Sequence, residues 1–265
     1  MDSIRIARIV ARSLIGVIIF FTVIIISLQL IEPYVGKKVV AKVQKELPYG
    51  CEIKDFQLSI FKNFPSLTGS FSEVIIMGSD STEFITAGEL NLDLDMWELL
   101  DSKVMINSIS LSHGSISVKV NEDNLGNWNI LNTSSGSEAA PEITVRQADL
   151  KNMYVNYIDK ANDQNYQFVL HNGQIHGKVN GSSIELDVNL ENTVRKLNIG
   201  ELHLLENKTT TIIGDIIIDL KKSYYAFRDF NLSSGNANVG ISGTVNSQEE
   251  YTYVDFEYDS RKMPL

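Results

Sequence analysis

The stretch Glu89-Leu90-Asn91-Leu92-Asp93-Leu94-Asp95-Met96 decides the fold. Apolar and polar side chains alternate without a break, the period of two that a strand with one buried face presents. Working outward, the same period returns where Ile116, Val118 and Val120 alternate with Ser115, Ser117 and Lys119. It returns again where Ile184, Leu186, Val188 and Leu190 alternate with Ser183, Glu185, Asp187 and Asn189. Phe56, Leu58 and Ile60 follow it near the start of the region, and Val254, Phe256 and Tyr258 near its end. One polar and one apolar face per strand points to antiparallel sheet rather than to α/β.

Turn chemistry falls at short intervals between these runs: Met77-Gly78-Ser79-Asp80, Asn124-Leu125-Gly126-Asn127, His171-Asn172-Gly173, Asn180-Gly181-Ser182 and Ser234-Gly235-Asn236. Successive strands are therefore expected to be joined by hairpins. One helical turn is expected at Met96-Trp97-Glu98-Leu99-Leu100, where the chain crosses over. Residues 132–142, NTSSGSEAAPE, read as a flexible loop between two similar halves. Leu111–Val118 aligns without gaps on Leu232–Val239 and more loosely on Leu150–Tyr157, which suggests a recurring strand-turn-strand unit.

A sheet with a continuous apolar face must cover it, and almost no amphipathic helix is on offer. Three solutions stay open: a second sheet making a sandwich, closure into a barrel, or a trough whose interior holds acyl chains.

Before Pro48 the sequence changes character. Leu14–Ile31 carries no charge, and at about 1.5 Å rise per residue it reaches about 27 Å, close to a bilayer's hydrocarbon core. No A-x-A-like cleavage site follows it, so an uncleaved transmembrane anchor is expected over 1–34. Arg5, Arg8 and Arg12 on the short flank place the N-terminus in the cytoplasm and the body outside it. Residues 35–47 read as an amphipathic helix, with Val35, Val39, Val43 and Leu47 on one face. Lys37, Lys38, Lys42 and Lys45 lie between them and suit a membrane surface, while the valine stripe equally suits capping the first strands, and the two roles are compatible.

Charge supports this division. Residues 1–46 hold seven basic against three acidic side chains, a balance of +4, and the net charge of −10 leaves −14 for the remainder. An acidic body repels phosphate backbones, so no nucleic-acid partner is expected. The single cysteine, Cys51, cannot form an internal disulfide, and no Cys/His cluster offers a zinc site. The four histidines, His113, His171, His176 and His203, show no ligand spacing, and no nucleophile-elbow, zinc-protease or P-loop motif occurs. No enzyme activity, catalytic residue, metal or cofactor is expected.

In order along the chain stand the basic-flanked anchor, an amphipathic helix, Cys51–Ile60, Phe61-Lys-Asn-Phe-Pro-Ser-Leu67, Glu89–Leu100, Ile106–Val118 and Asp123-Asn-Leu-Gly-Asn-Trp-Asn129. This series resembles the N-terminal part of the AsmA family, envelope proteins of Gram-negative bacteria related to bridge-like lipid-transfer proteins with a chorein-type start. The resemblance covers residues 1–131 and continues more faintly to about 245. It implies a long, curved antiparallel sheet bent into a groove, attached to the inner membrane and projecting into the periplasm. It also implies roles in outer-membrane biogenesis and in passing phospholipid between the two membranes. Relatives are generally longer, so the chain is expected to be a truncated product, a fragment or one part of an assembly. About a dozen strands extend roughly 55 to 60 Å at ~4.8 Å each, too short to bridge two membranes alone.

The expected organisation is an anchor over 1–34, a helix over 35–47, a first sheet segment over 48–131, a loop over 132–142 and a continuing sheet segment over 143–265. Leu90, Leu92, Leu94, Ile116, Val118, Val120, Ile184, Leu186 and Val188 are the candidate lipid-facing residues. Expected partners are the phospholipid bilayer, bound phospholipid and other envelope proteins. A competing reading makes the chain an envelope scaffold that binds proteins through exposed strand edges.

Overall fold

The computed structural model describes residues 40–41, 44–45, 47–63, 66–95, 105–128, 130, 144–180, 183–203, 205–219, 221–247 and 251–261. The chain divides into two units, Met1–Val43 and Gln44–Leu265, and the account below concerns the second. The expected anchor lies outside the described residues, as do Lys37, Lys38, Lys42, Met96–Leu100 and the loop over 132–142. Among the described residues no helix is long and apolar enough to cross a membrane. Of the helix expected over 35–47, Val40, Ala41, Gln44 and Lys45 are described and helical.

The strands are β1 (Cys51–Asn63), β2 (Ser66–Met77), β3 (Glu83–Asp95), β4 (Met105–Val120), β5 (Thr144–Asp159), β6 (Gln164–Asn180), β7 (Ser183–Ile199), β8 (Leu202–His203), β9 (Lys208–Asp219), β10 (Tyr224–Ser234), β11 (Ala237–Ser247) and β12 (Thr252–Arg261). They form one curved, open sheet in chain order, with the two-residue β8 hanging off β7 beside the main path. β1 and β12 are its edges. Sandwich and barrel are thereby excluded for the described residues: no second sheet faces the first, and the edges do not meet. The sheet has twelve strands, of which eleven lie on the main path and extend about 48 Å at ~4.8 Å per neighbour.

Most neighbours pair antiparallel, but β4 and β5 run parallel, from Met105↔Thr144 to Val120↔Asp159. A parallel pair needs the chain to return to the end where it started. The crossover is therefore made by residues 121–143, not by Met96–Leu100, whose flanking strands β3 and β4 are antiparallel. The sheet is thus two meanders joined along one parallel seam.

Two turn assignments also change. His171-Asn172-Gly173 lies inside β6, where the pairing with β7 shifts register between Leu170 and Asn172. Its turn-like composition serves a bulge instead. Leu111–Val118 and Leu150–Tyr157 are each continuous strand, whereas Leu232–Val239 is a true hairpin around Gly235. The expected strand-turn-strand repeat is not a repeat. Two of its copies are side by side: Leu111 pairs with Leu150 and Val118 with Tyr157.

What the strands share is a break in alternation. In β2, Phe71 and Val74 are buried while Ser72 and Glu73 between them are more exposed. The same in-out-out-in pattern occurs at Ile53–Phe56, Ala87–Leu90, Leu150–Met153, Leu170–Gly173 and Phe227–Phe230. Across β1 to β6 these sites are in register, along Asp55↔Ser72↔Glu89↔Ser112↔Lys151↔Asn172. Glu73, His113, Asn152 and Asp229 hold φ of 52°, 57°, 52° and 48°, the left-handed conformation that lets two successive residues face outward. Each such pair lengthens the polar face of its strand, so the sheet bends toward the apolar one.

Gly114 follows the left-handed His113, and a Cβ there would stand 1.9 Å from the carbonyl oxygen of Thr86. Only glycine fits that approach.

Candidate functional site: the apolar inner face

Register fixes which side chains share a face. Starting from Phe56, one row runs Phe56–Phe71–Leu90–Leu111–Leu150–Gly173–Leu190–Ile212–Leu232–Val239 through ten neighbouring strands. No polar side chain interrupts it. Even Gly173 leaves no opening, because a Cβ there would touch the Leu170 and Leu190 methyls at 3.0 and 3.1 Å. A second row runs Leu58–Gly69–Leu92–Ile109–Ala148–Ile175–Val188. A third runs Cys51–Ile76–Ile85–Ile116–Val155–Phe168–Val194. The nine candidate lipid-facing residues fall on this same face: Leu90, Leu92 and Leu94 on β3, Ile116, Val118 and Val120 on β4, Ile184, Leu186 and Val188 on β7.

Burial on this face is graded. Beside the bend, Val74, Met153 and Leu170 are 2, 0 and 5 % exposed. Leu90, which also flanks the bend, and Leu92, Leu94, Ile116, Val118, Ile184 and Leu186 away from it are only half-buried, while Val120 and Val188 are buried. In a layered core such leucines would be covered completely. Here their outer methyls have no second layer opposite them among the described residues. Rings extend the surface at both ends. Phe56 and Phe71 lie 4.9 Å apart on β1 and β2, and Phe227 packs edge-on against Phe230 at 5.7 Å and beside Phe256 at 5.9 Å.

Two polar clusters interrupt the inner face, and alternation alone did not mark them. Thr210 donates to Asn192 Oδ1 at 2.9 Å, both buried, in the row that contains Met153 and Leu170. Near the β5–β6 turn, Tyr157 and Tyr166 stack at 5.3 Å, and Tyr157 donates to Asp159. Burial first, then the Asp159 carboxylate, pushes the Tyr157 phenol above its ordinary range. Asp159 also accepts from the Asn162 backbone at 3.0 Å and from its side-chain amide at 2.9 Å, closing the turn.

The opposite face is a polar ladder. Thr68 donates to Asp93 at 2.6 Å, Ser108 donates to the same carboxylate at 2.8 Å, and Thr86 shares a hydrogen bond with Ser115 at 2.9 Å. A cavity of about 630 Å³ includes His176, Asp187, Asp215 and Arg228 in its wall, paired in that order across β6, β7, β9 and β10. Its opposed charges suit solvent. Among the described residues no group of three or more His, Cys, Asp or Glu is placed to hold a metal. His171 and His176 stay apart on β6, and His171 meets Thr193 Oγ1 at 2.9 Å. Cys51 is buried, and burial, then Glu52, raises its thiol pKa.

No protein-family model matches the sequence, and neither a curated protein nor a solved structure shows significant similarity to it.

Proposed function

We propose that this chain is a membrane-anchored envelope protein of the AsmA type, whose apolar inner face holds or conducts phospholipid acyl chains in outer-membrane biogenesis. One observation supports the reading above the rest: the unbroken apolar row through ten strands, half-buried along much of its length and bare of a second layer among the described residues. An acyl chain supplies that layer. Each CH₂ removed from water contributes about 0.8 kcal/mol, so a long strip retains a lipid with no directional site, while headgroups stay in water at the rim. The resemblance over residues 1–131, the apolar Leu14–Ile31 and the basic flank supply the inner-membrane attachment and the periplasmic side. Lys45, exposed and helical, continues the membrane-surface role read for Lys37, Lys38 and Lys42.

Native mass spectrometry of the full chain, purified in mild detergent, tests this. Phospholipid adducts that survive detergent removal are the expected result. A protein that is folded and lipid-free overturns the conduit.

A second reading rests on β12. Along this edge Val254, Phe256 and Tyr258 continue the inner face, and Tyr253 stands on the other, all exposed. A scaffold that binds an envelope protein by strand addition would use such an edge. It predicts a stable protein complex and no bound lipid.

A further inference from the structure

The segment after β4 is built more firmly than its loop composition requires. Asn127, buried, donates from its backbone to Lys119 O at 3.0 Å, accepts from Lys119 N at 2.9 Å and donates from Nδ2 to Ser117 O at 2.9 Å. Its own carbonyl accepts from Ser79 N at 3.0 Å, tying the segment to the β2–β3 turn. Asn121 Oδ1 accepts from the backbone of Asp123 and Leu125, and Val120 bridges Gly126. The loop is therefore clamped to β4 where β3 no longer reaches.

Held on this frame, its largest apolar side chains point away from the protein. Leu125 is 66 % exposed and Trp128 52 %, and Tyr49, just before β1, is 44 % exposed. The six-membered ring of Trp128 lies against Gly126, so close that a Cβ there would meet it at 2.1 Å. Tyr49, Leu125 and Trp128 line one cavity of about 980 Å³ together with Lys119 and Lys160. The carboxylate in that wall, Asp80, is engaged by Thr82 N and Oγ1 at 3.1 and 2.9 Å. The clamped loop exposes Trp128 and Leu125 next to Tyr49 and the exposed Lys160, while Lys119 Nζ donates to Thr82 Oγ1 at 2.8 Å and Glu122 and Asp123 of the same loop are exposed to solvent. The two rings and the aliphatic wedge are what a membrane interface uses, and Lys160 is the cation beside them.

Chain length selects the occupant. Residues 32–48 separate the apolar Leu14–Ile31 stretch from Tyr49, about 27 Å as helix and at most about 60 Å extended. The far ends of the strands lie a further ~50 Å away, since β4 alone has 16 residues. If Leu14–Ile31 spans a bilayer, the end of the sheet that carries Tyr49, Leu125 and Trp128 is the end at the lipid surface.

We infer that this cluster docks the sheet end onto the bilayer that holds the anchor, with Trp128 and Leu125 in the headgroup layer and Lys160 on a phosphate. This rests on the anchored reading above and adds to it where the body touches the membrane.

The test uses the full chain with Trp97→Phe, so that Trp128 is the sole tryptophan, reconstituted into vesicles of three parts phosphatidylethanolamine to one part phosphatidylglycerol. Bromine on the upper acyl carbons of the lipid is expected to quench at least half of the Trp128 emission, and Leu125→Asp is expected to abolish most of that quenching. A second full-length variant, Cys51→Ala with Leu125→Cys, carries an environment-sensitive dye, in case Trp97→Phe fails to fold. Its blue shift on reconstitution is the expected result. Resistance of the chain to carbonate extraction reports the anchor separately. An extractable chain overturns the anchor and this docking together. An embedded chain whose Trp128 and dye remain fully open to aqueous quencher overturns the docking alone.

Discussion

Asn152 Nδ2 lies 3.3 Å from His113 Nε2 across the parallel seam, and both residues hold left-handed backbone, φ 52° and 57°. The contact joins the two meanders at the line where each strand turns two successive residues outward. Asn and His tolerate that conformation far better than branched residues do. His113→Val and Asn152→Val are expected to lower unfolding free energy by about 1–3 kcal/mol each, and His113→Gly by less. Gly114→Ala is expected to cost more than either, because its Cβ meets backbone at Thr86 rather than a movable side chain. Urea melts followed by circular dichroism measure all four.

Leu92 sits mid-row on the inner face and is only half-buried, so a carboxylate there reaches solvent without unfolding the sheet. Leu92→Glu is expected to keep the strand signal in circular dichroism while co-purifying phospholipid falls several-fold. Ser110→Glu, one register row away on the polar face, is expected to leave lipid content unchanged. Equal lipid content in Leu92→Glu and the parent would remove the inner face from the mechanism.

The Thr210–Asn192 pair is expected to behave as a unit. Thr210→Val leaves a buried amide oxygen without its donor, at a cost of about 1–3 kcal/mol. Adding Asn192→Leu is expected to restore much of that loss, since removing both polar partners of a buried pair is far cheaper than removing one. A double-mutant cycle in urea gives the coupling.

Asp159 sets a pH dependence. The Asn162 side-chain amide first, then the Asn162 backbone and the Tyr157 hydroxyl, hold its carboxyl below the ordinary 3.8, against burial, which acts the other way. A depressed folded-state value means the stabilisation is complete above the unfolded value and is lost as pH falls through the folded one. Asp159→Asn is expected to be the less stable protein at pH 7, with the gap narrowing below pH ~3.8. A gap that stays constant from pH 7 to pH 2 would show that the carboxylate's charge plays no part.

The strands were legible where alternation was strict. Leu90–Leu94, Ile116–Val120 and Ile184–Leu190 predicted parts of β3, β4 and β7, with the expected residues on one face. Legibility failed where one local chemistry serves two structures. His171-Asn172-Gly173 and Ser234-Gly235-Asn236 offer the same turn-forming residue types, but the first bends a strand and the second reverses the chain, with left-handed backbone at Gly235 alone of the six. Only the length of pairing on each side separates the two, and that is a tertiary property. The likeness of Leu111–Val118 to Leu150–Tyr157 was real, but it recorded matched bends in neighbouring strands rather than a duplicated unit. The choice among sandwich, barrel and open trough was not legible at all, since period two describes the inner face and says nothing of what lies across from it. The Thr210–Asn192 pair broke the period too briefly to be noticed.

The seam has a kinetic consequence. Hairpins close over a few residues, whereas β4 and β5 partners stand 39 apart, as Met105 and Thr144 do. Loop-closure entropy makes that contact about 2 kcal/mol more costly to nucleate than a four-residue turn. Each meander can zip from its own turns, so docking the two across the seam is expected to be the slow step of folding, and inserting residues between 132 and 142 is expected to slow refolding while the hairpin phases keep their rates.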